Sequence, residues 1–414
     1  MKKSLHIAIL SYRSAPFGGG QGIYIFEISK ALKEIGHKVD VISGPPYPDL
    51  ISGIELIKLP GLNLFSTFNF RERCKLFFNK KNKSLDDWYE FGSTLLGGFP
   101  ELQTFGNRAD TFLVDRTYDA VIDNQSLSYG MLKIQQSQPL IEIIHHPISK
   151  DYYYDLKYAK GILQRISKIR WFSFLKMQKE VAPKLKCVVT PSMNSMQDIN
   201  NDFNVPMQNM HMIPNGIDFD IFCPLPEIKS ESYRLITTAS ADVPLKGLDF
   251  SLQAIAKLKA EYPDINLTVI GSPRKEGHTE RLIKKLKLED QVSFKTNLTK
   301  KDITLEYARS KVAIVSSLYE GFGFPVGEAM ACAIPLVATN VASIPEITGA
   351  FAQLIPAEDP DAIYQAIKNI FQNPQKYKLQ ADLGRQHIID NFNWKKIGHA
   401  YETLLIKTIK DFRC

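Results

Sequence analysis

Two glutamates on either side of a glycine-rich segment are the residues of this chain best suited to hold a ligand. Glu320 and Glu328 follow an apolar, strand-like run, Val312 to Ser316. A strand that turns at glycines and enters a helix near Pro325 directs free backbone N–H groups and the positive end of the helix dipole at one place. This place favours a phosphate, and the two acids suggest that hydroxyl groups of a sugar and a ribose are held beside it. The alternative is that both glutamates are solvated charges at a helix start.

A second glycine-rich turn lies near the amino terminus, within a βαβ pattern. A strand-like run, Leu5 to Leu10, is followed by a loop with three consecutive glycines, Gly18 to Gly20, and then by a predicted helix from about Gly22 to Ile35. The glycines do not have the GxGxxG spacing of dinucleotide-binding turns. Either they let a pyrophosphate approach the backbone closely or they form a flexible connector, and the pattern favours neither interpretation.

These turns belong to two series of alternating strands and helices. Strand-like runs recur up to residue 213, and a second series runs from Leu235 to Thr339. The pattern predicts an α/β protein with two doubly wound parallel sheets, and 414 residues are also more than one core usually supports. We place the first domain at residues 1–218, with a final helix of about 395–414 packing back on it, and the second domain at 219–394.

The composition is that of an ordinary soluble enzyme, with 44% hydrophobic and 23% charged residues. No run of 18 apolar residues occurs, and the first four residues lead into a strand-like run instead of a signal peptide. We therefore expect a cytoplasmic protein. The five cysteines are widely spread and lack metal-ligand spacing, which predicts reduced thiols and no zinc site.

Residues 61–116 interrupt the strand–helix rhythm and predict an insertion at the carboxyl edge of the first sheet, which either shapes a substrate site or covers the core. Two segments, 71–83 and 157–186, combine basic and aromatic residues. Such segments lie on anionic membrane surfaces in some proteins and are solvated helix faces in others, and both interpretations stay open. Nucleic acid is not an expected partner, because no recognised binding module accompanies the charge.

Six features occur in a fixed order along most of the chain. They are the amino-terminal glycine turn with Gln21, His145 after a strand, the sequence Ile-Pro-Asn-Gly-Ile-Asp at 213–218, Lys246-Gly247, the segment Glu320 to Glu328, and Phe392-Asn393-Trp394 before the final helix. Together they resemble the retaining family 4 glycosyltransferases of the GT-B fold. The resemblance implies two Rossmann-like domains with the site in the cleft between them. It also implies that the first domain binds the acceptor and the second binds a nucleotide-sugar donor.

The resemblance assigns roles to residues of the second domain. Lys246 is expected to neutralise the diphosphate, and the backbone around Gly323 and Phe324 is expected to hold phosphate and sugar oxygens. Glu320 would contact the donor sugar as a catalytic residue, and Glu328 would accept hydrogen bonds from the ribose hydroxyls. The leaving nucleotide diphosphate requires preorganised donors as its charge develops, and a lysine and a helix terminus can provide them without a metal.

Further residues join the predicted site. Gly19, Gly20 and Gly271 are included among the donor-binding residues. His145 matches the family's catalytic histidine at the end of a strand and is expected to contact the donor sugar. His146 follows it directly, and because side chains alternate along a strand, only one of the two rings would face the ligand. We prefer His145.

One position departs from the family pattern. Family members usually carry an arginine five positions before the lysine, and Ala241 stands at that position here. Either Ser240 and backbone groups replace the arginine, or Arg274 reaches the diphosphate, or donor binding is weaker. A single lysine remains a workable phosphate ligand, although it lacks the bidentate geometry of arginine.

No metal and no cofactor are expected, since the nucleotide sugar is a co-substrate. The Asp218-Phe219-Asp220 sequence fits the Asp-x-Asp pattern with which other glycosyltransferase folds bind a divalent ion. The resemblance places these residues in a connector between the domains. We therefore expect activity in the presence of a chelator.

The predicted function is retaining, metal-independent transfer of a hexose from a nucleotide-diphosphate sugar to a glycan, lipid-linked or small-molecule acceptor, as in the synthesis of cell-envelope polysaccharide or glycolipid. One alternative is a degenerate, non-catalytic family member that only binds the nucleotide sugar. Another is a different GT-B enzyme, such as a sugar-nucleotide epimerase. A Rossmann oxidoreductase is disfavoured, because neither glycine turn has the required spacing.

Overall fold

The structure is a computed structural model and describes residues 4–15, 20–67, 69–239 and 241–413. The chain forms two compact units. Unit 1 consists of two segments, one that ends at Asn215 and one that begins at Trp394. Unit 2 is Gly216–Asn393. The first division comes slightly before the predicted residue 218, because Ile217 belongs to the core of unit 2 and its N–H donates to the Phe392 carbonyl at 2.8 Å.

Unit 1 is built on a seven-stranded parallel sheet in the order β3-β2-β1-β4-β5-β6-β7. The strands are β1 (His6–Ser11), β2 (Lys38–Ser43), β3 (Glu55–Lys58), β4 (Ala120–Asn124), β5 (Leu140–Ile143), β6 (Val188–Thr190) and β7 (Met210–Met212). The helices that precede unit 2 are α1 (Gly20–Glu34), α2 (Phe70–Asn79), α3 (Leu85–Leu95), α4 (Glu101–Leu113), α5 (Tyr129–Ser137), α6 (Ser149–Lys157), α7 (Ile162–Trp171), α8 (Leu175–Val181) and α9 (Met193–Phe203). From β1 the chain adds β2 and β3 on one side of the sheet and then β4 to β7 on the other side. The point between β1 and β4, where this strand order reverses, is where doubly wound sheets bind ligands.

Unit 2 is built on a six-stranded parallel sheet in the order β10-β9-β8-β11-β12-β13. The strands are β8 (Arg234–Thr238), β9 (Asn266–Ile270), β10 (Val292–Lys295), β11 (Val312–Val315), β12 (Leu336–Thr339) and β13 (Gln353–Ile355). The helices are α10 (Leu248–Leu258), α11 (His278–Leu286), α12 (Lys300–Arg309), α13 (Phe324–Ala331), α14 (Ile344–Thr348), α15 (Pro360–Gln372) and α16 (Pro374–Asn391). The strand β13 is not among the strands that the sequence predicts.

Each sheet has a buried apolar layer on both faces, which confirms the predicted α/β class. In unit 1, one layer comes mainly from α1 and from the carboxyl-terminal helix α17 (Trp394–Arg413), and the other layer includes α4, α5, α8 and α9. The hydroxyls of Tyr24 and Tyr401 lie 2.7 Å apart between α1 and α17. Gly398 of α17 lies in this interface, where a Cβ would make an ordinary van der Waals contact with Ala31 at 3.4 Å.

The insertion between β3 and β4 consists of α2, α3 and α4. Helix α4 crosses α5 at Gly106 and Gly130, and a Cβ on Gly130 would stand 2.2 Å from the Gly106 carbonyl oxygen. Side chains that are buried between α3 and α4 form a polar network in which Glu90 accepts from Arg108 at 2.8 Å and from Thr104 at 2.6 Å. No helix within the described ranges combines the length and the apolar character that a bilayer span requires.

Candidate active site

The turn after β11 is held in one conformation by hydrogen bonds to its backbone. The Ser343 hydroxyl lies 2.8 Å from the carbonyl oxygens of both Glu320 and Phe322. Gly323 caps α13 with a φ of 97°, a conformation that side chains disfavour, and Pro325 occupies the first turn of the helix. The backbone N–H groups of Gly323 and Phe324 therefore lie at a helix start. Their contact with an anion stays a prediction.

Lys246 and Glu320 are brought together by neighbouring strands of the sheet. Lys246 follows β8 and Glu320 follows β11, and the Lys246 Nζ lies 2.7 Å from the Glu320 Oε1. The Ser317 hydroxyl donates to the same oxygen at 2.7 Å. Only glycine fits at 247, because its φ is 62° and a Cβ would stand 1.9 Å from the Ser316 carbonyl oxygen. The result is a positioned cation next to the start of α13.

Glu328 is buried on α13. Burial raises the pKa of its carboxyl to about 7, an effect that Lys300 opposes and Asp218 reinforces. Lys300 itself pairs with Asp218, with 3.2 Å between Nζ and Oδ2. Charge on Glu328 in turn contributes, after burial, to the raised pKa of Tyr307. A carboxyl in this state is close to its midpoint of ionisation at neutral pH.

Gly271 and Ala241 shape the edge of the sheet near β9. Gly271 has a φ of 155°, and a Cβ there would stand 2.3 Å from the Ala239 carbonyl oxygen, so the end of β9 approaches the end of β8 closely. Ala241 is buried, and Ser240 lies outside the described residues. The Asp242 carboxylate accepts from the N–H of Arg274 at 2.7 Å. The segment with the exposed Arg274 therefore lies against the residue that follows Ala241.

His145 lies at the carboxyl end of β5, in unit 1. Its Nε2 is 2.8 Å from the Asn124 Oδ1, its backbone N–H donates to the Gln125 Oε1 at 3.0 Å, and its ring meets the Tyr24 ring edge-on at 4.6 Å. The residue keeps some solvent exposure, but desolvation of the ring, and secondarily His146, lower the pKa of His145 to about 3. The imidazole is therefore neutral at physiological pH.

The prediction that strand alternation separates the two histidines is wrong. The strand β5 ends at Ile143, so His145 and His146 both lie in the bend that follows it. They differ in their partners instead, since the His146 Nε2 lies 2.7 Å from the Asp151 Oδ2. The partners of a ring, and not its register, distinguish the two residues.

The amides that hold His145 are functional candidates which the sequence reasoning missed. Asn124 ends β4, and Gln125 follows it with a φ of 58°, which is unusual for a residue other than glycine. The Gln125 Nε2 also donates to the His146 carbonyl at 3.0 Å. The signal available in the sequence is the run Asp-Asn-Gln-Ser at 123–126 after the predicted strand.

The amino-terminal glycine turn is only partly described. Gly19 lies outside the described residues, and Gly20 is exposed and begins α1, two residues before the predicted start at Gly22. Gly22 has the clearest steric requirement, because a Cβ there would stand 2.1 Å from the Ala15 carbonyl oxygen. Helix α1 therefore starts in close contact with the segment after β1.

Asp218, which belongs to the Asp-x-Asp sequence, has a cation as its partner in this structure, namely Lys300. Among the described residues, no group of three or more histidine, cysteine, aspartate or glutamate side chains has an arrangement that could hold a metal ion. Among the described residues, unit 2 thus offers a ligand a lysine, a helix start and two carboxyls. Unit 1, by itself, carries a neutral histidine at the end of its sheet.

Comparison with known sequences gives matches over most of the chain. The model of the Glycosyltransferase Family 4 domain matches residues 18–221, and that of Glycosyl transferases group 1 matches residues 226–387. An MMP alpha-(1->4)-mannosyltransferase from Mycolicibacterium hassiacum is 35% identical over 401 residues, which is 95% of this chain and 96% of that protein. A GDP-mannose-dependent alpha-(1-6)-phosphatidylinositol monomannoside mannosyltransferase from Mycolicibacterium smegmatis is 26% identical over 217 residues, 48% of this chain and 57% of that protein.

Solved structures resemble the chain at lower sequence identity. The sucrose-phosphate synthase from Thermosynechococcus elongatus has a TM-score of 0.76 and 22% identity, and the match covers 98% of this chain and 100% of that one. Anabaena HepE in complex with UDP and glucose has a TM-score of 0.70 and 16% identity, with 97% and 100% covered. These similarities support the fold, and the sequence matches establish the family. The chain belongs to the family 4 glycosyltransferases and is a glycosyltransferase with the GT-B fold.

Proposed function

We propose that this glycosyltransferase moves a hexose, with mannose as the first candidate, from a nucleotide-diphosphate sugar to a hydroxyl of a glycan or lipid-linked acceptor, with retention of the anomeric configuration. The observation that carries the proposal is the grouping of Lys246, Glu320 and the buried Glu328 around the start of α13. Mannose is favoured because the relative that matches 95% of the chain is named a mannosyltransferase. A cytoplasmic location belongs to the same proposal.

The leaving diphosphate gains negative charge as the glycosidic bond breaks. Lys246 and the N–H groups at Gly323 and Phe324 are donors that are already in place for this charge. Glu320 is buried and Lys246 is only 27% exposed, so a phosphate that replaces the carboxylate as partner of the lysine keeps this cation paired during the exchange. Glu320 is then available to accept hydrogen bonds from the hydroxyls of the donor sugar. This charge compensation needs no metal ion.

Glu328 is proposed to hold the ribose. A carboxylate accepts hydrogen bonds from two neighbouring hydroxyls, whereas the protonated acid loses part of that capacity. No hydrogen bond to the Glu328 side chain occurs within the described part of the chain, so its oxygens are available to a ligand. The ribose hydroxyls would then donate hydrogen bonds to the buried carboxylate oxygens of Glu328.

His145 is proposed to accept a hydrogen bond from the donor sugar. The Asn124 amide nitrogen lies within 3.5 Å of the Ser11 hydroxyl, which places its oxygen toward the His145 Nε2. The proton of the neutral ring then resides on Nε2, and Nδ1 remains an acceptor. A neutral acceptor of this kind fits a sugar hydroxyl better than it fits the diphosphate.

Family members usually carry an arginine at the position of Ala241. Arg274 is proposed to supply the second cation in its place. Its segment is tied to Asp242 by the hydrogen bond from the Arg274 N–H. Its charge is also near enough to contribute to the lowered pKa of Asp242, after the hydrogen bonds that this carboxylate accepts. An exposed arginine on such a segment can reach a diphosphate that is bound beside Lys246.

The test combines donor binding with product analysis. Thermal stability of wild type and of Glu328→Ala is measured with GDP, UDP, ADP and dTDP and with their sugars, since a ligand at 100 times its Kd stabilises a protein by about 2.7 kcal/mol. The expected result is a rise with one nucleotide class that the variant loses. The anomeric configuration of the product is then read by NMR, with and without a chelator. Binding without transfer to any acceptor would favour a scaffold, and sugar conversion without an acceptor would favour an epimerase.

A further inference from the structure

Helix α3 has three polar side chains turned toward the protein and most of its apolar side chains turned toward solvent. Asp87, Glu90 and Thr94 are buried. The opposite face is exposed and carries Leu85 (89% exposed), Trp88 (57%), Tyr89 (47%) and Leu95 (52%). A surface helix of a globular protein normally has the reverse arrangement. These four apolar residues of α3 therefore do not serve the core of unit 1, whereas Phe91 packs against the small buried cluster around Phe77.

Helix α7 also turns apolar side chains toward solvent. None of its residues is buried, and Ile162, Leu163, Ile166 and Ile169 are all exposed. These residues recur at the spacing of one helix face. Trp171, at the end of α7, packs on the other side, against Phe65 and Phe99 with ring centroids about 5 Å apart. Contiguous exposed apolar side chains of this size usually mark an interaction site.

The exposed faces of α2, α3 and α7 are neighbours. Phe77 of α2 stacks on Phe91 of α3 at 4.2 Å and meets Trp88 at 4.8 Å. At the other end of α3, a Cβ on Gly97 would stand 3.7 Å from Arg170 of α7. We call this surface the docking face, and it is represented by Phe78, Leu85, Trp88, Leu96, Leu163 and Ile166, all of which are exposed.

The docking face is flanked almost entirely by positive charge. Residues 69–83 contain six lysines and arginines and one acid, Glu72, and residues 157–171 contain five lysines and arginines and no acid. Among the described residues, Lys80 pairs with Asp87 and Lys168 pairs with Asp155. The partner that this combination fits has an apolar interior and an anionic surface.

We propose that the docking face binds the enzyme to the surface of a bilayer that contains anionic phospholipid. Aromatic and leucine side chains would enter the boundary between headgroups and acyl chains, with the lysines and arginines at headgroup level. A second copy of the chain fits less well, because a two-fold interface sets the same patch against itself. Two faces with this charge would repel each other.

The experiment measures sedimentation of the full-length protein with vesicles of phosphatidylcholine alone and of phosphatidylcholine with about one third phosphatidylglycerol. We expect binding to the anionic vesicles and little to the neutral ones. Each basic residue near an anionic surface is worth about a fivefold change in partitioning. The triple variant Arg71→Glu/Lys81→Glu/Arg165→Glu should therefore lose more than about a hundredfold. The variant Trp88→Ser/Leu163→Ser should lose at least about tenfold.

Matched controls come from unit 2. Lys285→Glu/Lys311→Glu reverses exposed charges, and Leu379→Ser removes a leucine that is 63% exposed. The controls should bind vesicles as the wild type does, and circular dichroism should show that all variants are folded. Equal binding to neutral vesicles, or unchanged binding by the docking-face variants, would overturn the proposal. The proposal would also be overturned if the wild type does not bind vesicles but forms a dimer, and if Trp88→Ser/Leu163→Ser abolishes that dimer. The measurement uses no nucleotide or acceptor, so its failure is separate from failure of the proposed transfer.

Discussion

The polar residues that follow the strands of the two sheets are held in opposite ways. In unit 1, His145 is kept neutral and is fixed by the uncharged amides of Asn124 and Gln125. In unit 2, Lys246 and Glu320 hold each other as ions. We call the carboxyl ends of the strands in each sheet its edge. The edge of the sheet in unit 1 fixes the orientation of a ring, whereas the edge in unit 2 holds two opposite charges that a ligand can separate.

Both arrangements resist the loss of a partner. Glu320 is buried and Lys246 is mostly buried, so removing one member of this ion pair without a substitute costs about 3–5 kcal/mol, whereas a phosphate that takes the place of the carboxylate keeps the lysine paired. An unsatisfied buried polar group costs about 1–3 kcal/mol, so the amides beside His145 also cannot be removed without consequence. We therefore expect changes in unit 2 to alter donor affinity, and changes beside His145 to alter turnover.

The largest effect should come from His145→Ala. If the neutral ring contacts the donor sugar only as it reacts, kcat should fall by about 10² to 10³-fold while the Kd of the nucleotide changes little. Single-turnover kinetics together with calorimetry of nucleotide binding separate the two quantities. His146→Ala is the matched control, since its ring pairs with Asp151 instead. Near-normal turnover by His145→Ala would remove His145 from the site and erase the contrast between the two edges.

Lys246→Ala should have the next largest effect, and the opposite signature. Loss of the cation should weaken binding of the nucleotide diphosphate and lower kcat/KM by about a hundredfold, because a charged hydrogen bond to phosphate is worth about 1.5–3 kcal/mol. Lys295→Ala is a close control, since Lys295 also lies 2.7 Å from a glutamate, Glu306, in unit 2. Unchanged donor affinity in Lys246→Ala, measured by calorimetry, would contradict the proposed charge exchange.

The contrast also shows what sequence patterns can and cannot predict. Buried strands and glycine turns are local patterns, so both sheets and the start of α13 near Pro325 are predictable. That Lys246 meets Glu320 depends on β8 and β11 being neighbours, which a doubly wound sheet makes probable but which no spacing encodes. The roles of the residues in donor binding stay predictions.

The features that the sequence does not predict also depend on contacts or strand ends that no local pattern encodes. The contact between Asn124 and His145 joins the ends of two strands, and an amide after a strand looks like any polar turn residue. The side to which each histidine points could not be read from register, because β5 ends at Ile143. Residues 61–116 are predicted only as an insertion, and α3, which buries polar residues, lacks the usual apolar buried face that would indicate a helix there.

Glu328 gives a pH test of the charged edge. With a pKa of about 7, about one tenth of the carboxyl is ionised at pH 6 and about nine tenths at pH 8. If the carboxylate holds the ribose, donor affinity should rise by about tenfold between these pH values. The variant Glu328→Gln should lack this rise. A wild-type affinity that is flat with pH would argue against the ionised form as the ligand.

Glu328 should also make the free energy of unfolding depend on pH. This free energy should fall as pH rises, whereas donor affinity should increase. Its folded pKa lies above the ordinary value of 4.5, so the folded state keeps the proton to higher pH than the unfolded chain does. The contribution of Glu328 to the free energy of unfolding is thus present below pH 4.5 and is lost as pH rises toward 7. Chemical denaturation of wild type should show this decrease relative to Glu328→Gln, and identical pH profiles would contradict it.

Arg274→Ala should have a smaller effect than Lys246→Ala. Arg274 is exposed and is tied to the site through its backbone, so loss of its side chain should weaken nucleotide binding by about fivefold. Lys275→Ala removes the adjacent exposed cation and is the matched control. Binding measured at two salt concentrations should show a weaker salt dependence in Arg274→Ala only. Equal effects of the two variants would indicate general attraction by surface charge instead of a second phosphate ligand.

The smallest effect, a severalfold decrease in kcat with KM unchanged, is expected from Asn124→Ala. Asn124 acts through His145, because its oxygen holds the proton of the ring on Nε2. Without it, the neutral ring can place the proton on either nitrogen, and only part of the population keeps Nδ1 as an acceptor. Asn124→Asp restores an acceptor at the same position and should recover the tautomer, which nitrogen-15 NMR of the imidazole reports directly. If Asn124→Ala shifts neither the tautomer nor kcat, the amides beside His145 serve stability alone, and the two sheet edges differ in charge but not in how they position a reacting group.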